Sequence, residues 1–100
     1  MIRFYFNGSP NPTKVALLLE ETGLPYEPIA IDTRTGAQFA PEFLAINPNG
    51  QVPAITDGDT GVFDSNAILL YLAEKSGQFL PPAGDAKARG ELLSWLMFVA

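Results

Sequence analysis

The side chains that could do chemistry in this sequence are hydroxyls, amides and carboxylates, because it contains no cysteine or histidine. Protein thiol chemistry is therefore excluded, and a zinc site is not expected. Ser9 and Asn11 stand just before a predicted helix, and Asp64 and Ser65 begin another. The free N–H groups and dipole of a helix N-terminus suit a carboxylate ligand, but these residue types are also preferred helix caps and turn formers. From the residues alone, both interpretations stay open.

A third polar segment, residues 47–55 (NPNGQVPAI), combines strong turn chemistry with the start of a predicted strand. A cis Val52–Pro53 bond would expose the neighbouring N–H and C=O to a ligand, and proline cannot pair as an inner strand residue does. The alternative is an ordinary trans proline at a strand start. Gln51 is correspondingly either a ligand contact or a solvated turn residue.

The elements that must position these groups follow from hydrophobic periodicity. Strands at residues 2–6 and 26–31 flank a helix at 13–22, which is a βαβ unit and implies a parallel pair. A short helix at 41–46, a hairpin of strands at 52–56 and 61–63, and a helix at 64–76 follow. This order predicts an α/β, thioredoxin-like fold with a four-stranded mixed sheet over residues 1–80.

Residues 81–100 are predicted to be a linker and the first helix of a truncated all-α domain. Leu80 to Gly84 (LPPAG) is typical of a linker, and Asp85 can cap a helix that continues to Val99. The apolar run from Leu92 is expected to pack against helices of a missing domain, or else to dock back onto the first domain.

Composition excludes several function classes. The chain has 100 residues, of which 47% are hydrophobic and 17% charged, and its net charge is −5. These values favour a globular core and argue against nucleic-acid binding, which needs a basic surface. No segment reaches the roughly 18 apolar residues of a membrane helix and no signal peptide is recognisable, so we expect a cytoplasmic protein without membrane or nucleic-acid partners.

Three segments, in this order, resemble the glutathione S-transferase family: residues 9–11 (SPN), 47–55 (NPNGQVPAI) and 64–72 (DSNAILLYL). The resemblance covers residues 1 to about 80, and the rest is similar to the linker and first helix of the family's all-α domain. The first loop, together with residues 36–39 (GAQF), is most similar to the bacterial Nu class and also resembles the theta class.

The resemblance implies that reduced glutathione binds as a co-substrate, without a metal. It implies that its sulfur is held as a thiolate by the Ser9 hydroxyl or the Asn11 amide, as in theta-like and Nu-class enzymes respectively. The remaining glutathione contacts implied by it are the backbone at Val52 and a cis Pro53 for the cysteinyl group, Gln51 near the glycyl end or backbone, Ser65 for the γ-glutamyl carboxylate and Asp64 near the γ-glutamyl amine.

Three functions fit this resemblance. The thiolate attacks a small electrophile in a transferase, or it reduces a disulfide, a reaction that favours Asn11 over Ser9. A non-catalytic, transferase-like binding module is the third. The full-length protein is expected to be a homodimer, and because the family's electrophile pocket lies between the two domains, we expect this chain to have little or no transferase activity alone.

Overall fold

The computed structural model describes residues 1–82 and 84–98. Its strands are β1 (Ile2–Phe6), β2 (Tyr26–Ala30), β3 (Ala54–Asp57) and β4 (Thr60–Phe63). Its α-helices are α1 (Pro10–Thr22), α2 (Pro41–Leu44), α3 (Ser65–Ser76) and α4 (Ala86–Phe98), and a single 3₁₀ turn covers Ala37–Phe39.

The four strands form one mixed sheet in the order β2-β1-β3-β4. β1 runs parallel to β2, and the β1–β3 and β3–β4 pairs are antiparallel. This is the four-stranded mixed sheet that the sequence predicts. The parallel pair brings the carboxyl ends of β1 and β2 to the same sheet edge, next to the start of α1.

The hydrophobic core lies between the sheet and the two helices α1 and α3. Both helices carry apolar side chains at helical spacing, and β1 presents alternate apolar residues to them while β3 contributes Ile55. The buried core cluster comprises Ile2, Phe4, Val15, Leu19, Ile55, Ile68 and Leu72. This packing fixes the N-terminal ends of α1 and α3 relative to the start of β3.

Several element boundaries differ from the sequence prediction by one residue, and three differ by two or more. α1 begins at Pro10 rather than at residue 13, with Ser9 as its N-cap. Proline is tolerated in a first helical turn because the N–H it lacks has no partner there, so the Pro-rich stretch is helix and not loop. β3 begins at Ala54 and leaves residues 52 and 53 outside the sheet, and α2 is two residues shorter than predicted.

Helix α4 is capped as predicted, since the Asp85 carboxylate accepts a hydrogen bond from the Ala88 N–H at 3.0 Å. Leu92 and Leu96 of α4 line an apolar depression shared with α1 and α3. The buried Asn66 side chain also donates to the Leu96 carbonyl at 2.8 Å. The predicted linker residue Ala83 and the predicted helix end at Val99 lie outside the described residues.

Candidate functional site

A depression of about 210 Å³ brings together five of the seven residues that the sequence singled out. It lies where the first turns of α1 and α3 meet the segment that precedes β3. Its lining residues are Asn11, Asn47, Asn49, Gln51, Pro53, Phe63, Asp64 and Ser65. Three segments far apart in sequence therefore converge on one polar site.

The N-terminus of α3 supplies one wall of this depression. Asp64 is the N-cap residue, and its Oδ2 accepts a hydrogen bond from the Ala67 N–H at 3.1 Å. Its backbone has φ 75° and ψ 122°, a positive-φ conformation that is uncommon outside glycine and often occurs at functional sites. Ser65 is 7% exposed, and its hydroxyl has no hydrogen-bond partner in the described part of the chain. This helix end thus combines an uncommitted hydroxyl with free backbone N–H groups, a combination suited to a carboxylate.

The turn before β3 supplies the opposite wall and is organised by Asn47, which is 3% exposed. Its Nδ2 donates to the Gln51 carbonyl at 2.9 Å, and its Oδ1 accepts from the N–H and the side-chain amide of Asn49 at 3.0 and 3.1 Å. Gly50 has φ 63°, and a Cβ there would lie 2.9 Å from the Phe39 ring. The sequence prediction took this stretch as a turn, which is correct, but missed that Asn47 and Asn49 also line the site.

The Val52–Pro53 peptide bond is cis, as predicted. Among residues 1–82 and 84–98, neither the N–H nor the C=O of Val52 has a backbone or side-chain partner, because ladder pairing in β3 starts at Ala54. Pro53 is buried and lines the depression. A free backbone donor and a free backbone acceptor therefore stand between two residues that line the depression, Gln51 and Pro53, where a peptide-like ligand can pair with them.

Asn11 and Ser9 occupy different surroundings at the start of α1. The Asn11 side chain is exposed, lines the depression and makes no hydrogen bond within the described residues. Ser9 lines a second depression, of about 490 Å³, formed by the ends of β1 and β2 and the loop after β2. The Ser9 hydroxyl is hydrogen-bonded to Asn7 Oδ1, which also accepts from the Ser9 N–H at 3.0 Å. The structure thus gathers Asn11, but not Ser9, with the other predicted site residues.

Asp64 is the one ionisable residue lining the first depression. The basic residues Lys14 and Arg34 could supply positive charge to a carboxylate, but neither lines this depression. Arg34 instead pairs with Asp32 at 3.2 Å beside the second depression. No group of residues suited to holding a metal ion occurs in the described parts of the chain. Within the same residues, no helix combines the length and apolar character needed to cross a bilayer.

Comparison with known proteins places these features in a family. The family model described as "Glutathione S-transferase, N-terminal domain" matches residues 1–74. The disulfide-bond oxidoreductase YfcG of Escherichia coli strain K12 is 47% identical over 105 aligned residues, which cover 98% of this chain and 48% of YfcG. Glutathione S-transferase 3 of Zea mays is 46% identical over 91 residues, which cover 88% of this chain and 40% of the plant protein.

Solved structures give the same result. The crystal structure of a glutathione transferase family member from Pseudomonas fluorescens pf-5, with two glutathione bound, matches 97% of this chain and 44% of that one, with a TM-score of 0.89 and 46% identity. This chain spans less than half the length of the two curated relatives. It belongs to the glutathione S-transferase family, whose N-terminal domain its first 74 residues match.

Proposed function

We propose that this chain binds reduced glutathione in the depression formed by α1, α3 and the segment before β3, and holds its sulfur as a thiolate. The observation that carries the proposal is the convergence of Asn11, Gln51, Asp64 and Ser65 beside the unpaired backbone of Val52. The relative from Pseudomonas fluorescens pf-5, which is similar over almost the whole chain, has glutathione bound.

Each part of the tripeptide has a chemically matched partner. The γ-glutamyl carboxylate would lie at the N-terminus of α3, where Ser65 and free N–H groups can donate to it. The γ-glutamyl amine would lie beside Asp64. The cysteinyl backbone would pair with Val52 in a short β-augmentation, and Gln51 would contact the glycyl end or backbone.

Because the polypeptide has no cysteine, the reactive sulfur must be that of glutathione. A free thiol has a pKa of about 8.5 and only its thiolate is a nucleophile. A hydrogen-bond donor and the positive end of a helix dipole both favour the thiolate. Asn11, in the first turn of α1 and without a partner, meets both conditions, whereas the Ser9 hydroxyl is occupied by Asn7.

Glutathione-dependent disulfide reduction is the second candidate. The observation that favours it is that Asn11, and not Ser9, has a free side chain at the site. The resemblance to the Nu class implies that this reaction uses an asparagine at position 11, and the similar protein YfcG is named a disulfide-bond oxidoreductase. Transferase attack on a small electrophile remains our leading proposal for the full-length protein, supported by the similarity to glutathione S-transferase 3. We further propose Nu-class membership, a cytoplasmic location and a homodimeric full-length protein, since these accompany the family resemblance.

Calorimetric titration with glutathione tests the proposal. We expect binding to the wild type, and about tenfold weaker binding to Ser65→Ala, because a hydrogen bond to a charged carboxylate is lost. Ser76→Ala is the matched control: its hydroxyl bonds to the Ala73 carbonyl at the far end of α3, so its affinity should equal that of the wild type. Absence of binding in folded wild-type protein would refute the proposal.

A further inference from the structure

The Asn7 side chain joins three groups at the end of β1. Its Nδ2 donates to Thr33 Oγ1 at 3.2 Å, on the loop that follows β2. Its Oδ1 accepts from the Ser9 N–H at 3.0 Å and also bonds to the Ser9 hydroxyl. Asn7 is partly buried, and it thereby connects the β2 loop to the N-cap residue of α1.

The direction of the bond between Asn7 and the Ser9 hydroxyl is determined by these contacts. A backbone N–H can only donate, so the Asn7 atom that faces Ser9 must be the amide oxygen. An amide oxygen carries no proton, so the Ser9 hydroxyl must donate to it. A serine hydroxyl has one proton, and the lone pairs that Ser9 Oγ has left can only accept.

We propose that Asn7 is a positioning residue that directs the Ser9 hydroxyl proton away from the bound glutathione sulfur and so leaves Asn11 as the principal donor to it. This inference rests on the proposed function. Ser9 is the N-cap residue of α1 and stands two residues before Asn11, although it lines the other depression. To donate to a sulfur held at this helix N-terminus, Ser9 must first give up its bond to Asn7, so any stabilisation it supplies is reduced by that loss. Asn7 thus opposes ionisation of the thiol, and removing its acceptor should favour the thiolate.

The charged groups near Asn7 and Ser9 are the same in the wild type and in the variants that test this proposal. Asp32 and Arg34 line the same depression as Ser9 and pair with each other, and Asp64 lines the neighbouring one. All three are retained in every variant, so their influence on the thiolate cancels when variants are compared with the wild type.

The test is the pKa of the bound glutathione thiol, measured from the pH dependence of the thiolate's ultraviolet absorbance in the 100-residue protein. We expect Asn7→Ala to lower that pKa by about half a unit to one unit, the equivalent of one ordinary net hydrogen bond. In a Ser9→Ala background, the Asn7→Ala change should have no effect, because no hydroxyl proton remains to be redirected. A merely structural role for Asn7 would still act in that background.

Thr33→Val provides a second variant in case Asn7→Ala does not fold, since it removes the anchor of Asn7 and keeps the acceptor. It should shift the thiol pKa in the same direction by a smaller amount. An unchanged or raised pKa in the folded variants, or a decrease that persists without the Ser9 hydroxyl, overturns the role of Asn7. Failure of the wild type to bind glutathione overturns the proposed function and this inference together, whereas binding with an unaffected pKa overturns only the inference.

Discussion

At the scale of single residues, Asn11 carries the proposed thiolate chemistry. Its amide lines the depression and has no partner in the described residues, so it can donate a charge-assisted hydrogen bond to the sulfur. Loss of such a bond is worth about 1.5–3 kcal/mol. We therefore expect Asn11→Ala to raise the pKa of bound glutathione's thiol by about one to two units, measured by titrating the thiolate absorbance.

Asn49→Ala is the matched control for that experiment. Asn49 lines the same depression, but its amide donates to Asn47 Oδ1. Its replacement should leave the thiol pKa unchanged. If the two variants shift the pKa equally, or if Asn11→Ala does not shift it, the amide of Asn11 is not the thiolate partner. Below the thiol pKa of both proteins, Asn11→Ala should bind glutathione as tightly as the wild type, because no thiolate is present.

Sequence analysis singled out some of the residues that line the depression and missed others, and the reason lies in their local sequence patterns. Asp64, Ser65 and Pro53 stand in motifs whose local geometry is fixed by their neighbours, and the structure brings all three to one depression. Asn47 gave no such signal, because a buried asparagine that organises a turn has the same sequence pattern as an exposed one. The engagement of Ser9 by Asn7 is a local contact between residues two apart, the spacing of an Asx turn, and the sequence analysis did not use that signal. The bond from Asn7 to Thr33 depends on how the loop after β2 packs, which residue spacing does not reveal.

At the scale of elements, the βαβ unit and the hairpin were predictable because alternation and helical spacing set their type. Their boundaries were not. α1 begins at Pro10, because proline is tolerated in the first turn of a helix. Prolines are equally typical of a loop, so the sequence could not show whether residues 10–12 belong to the loop or to the helix. The exclusion of residues 52 and 53 from β3 does not come from the length of β1, since Phe6 has no partner in β3. Pairing stops at Ala54 because Pro53, which follows a cis bond, has no N–H to donate.

The contact between β3 and α3 provides a prediction about pH. Asp57 at the end of β3 accepts a hydrogen bond from Tyr71 at 2.7 Å and pairs with Lys75 at 2.9 Å, both on α3. Lys75 and then Tyr71 lower the pKa of the Asp57 carboxyl, while bonding to Asp57 raises the pKa of both partners. The cluster therefore stabilises the fold above the ordinary aspartate pKa of about 3.9 and loses that effect as the pH falls through the lowered value.

At pH 7, Tyr71→Phe should lower the melting temperature by about 10 °C through loss of one hydrogen bond to a charged group. The difference from wild type should begin to shrink below the ordinary aspartate pKa of about 3.9 and be lost as the pH falls through the lowered pKa of Asp57. It should also shrink above about pH 10 and be lost as the pH rises through the raised pKa of Tyr71. Thermal melts monitored by circular dichroism measure it. Tyr5→Phe is the control, since the Tyr5 ring packs on Phe43. A difference that is the same at every pH would exclude the carboxylate as its source.

At the scale of the whole molecule, the described residues surround the candidate site on one side only. The depression of about 210 Å³ is smaller than the roughly 300–1,000 Å³ of typical small-molecule pockets. Apolar side chains of α4 are also largely exposed, with Trp95 66% and Met97 58% accessible. The described residues thus give the proposed glutathione an open surface, and they form no enclosed pocket beside it for a second, apolar substrate.

This geometry predicts that the 100-residue chain binds glutathione but scarcely accelerates its conjugation to an aromatic halide. Conjugation needs both reactants to be held in reacting geometry and shielded from water. The proposed site holds glutathione but has no place for the aromatic halide. The rate should lie close to that of glutathione in buffer, measured spectrophotometrically, while glutathione S-transferase 3 of Zea mays is assayed alongside as a full-length comparison. Rapid conjugation by this chain alone would mean that the α1 and α3 surface suffices to hold the electrophile, and that the apolar face of α4 serves another purpose.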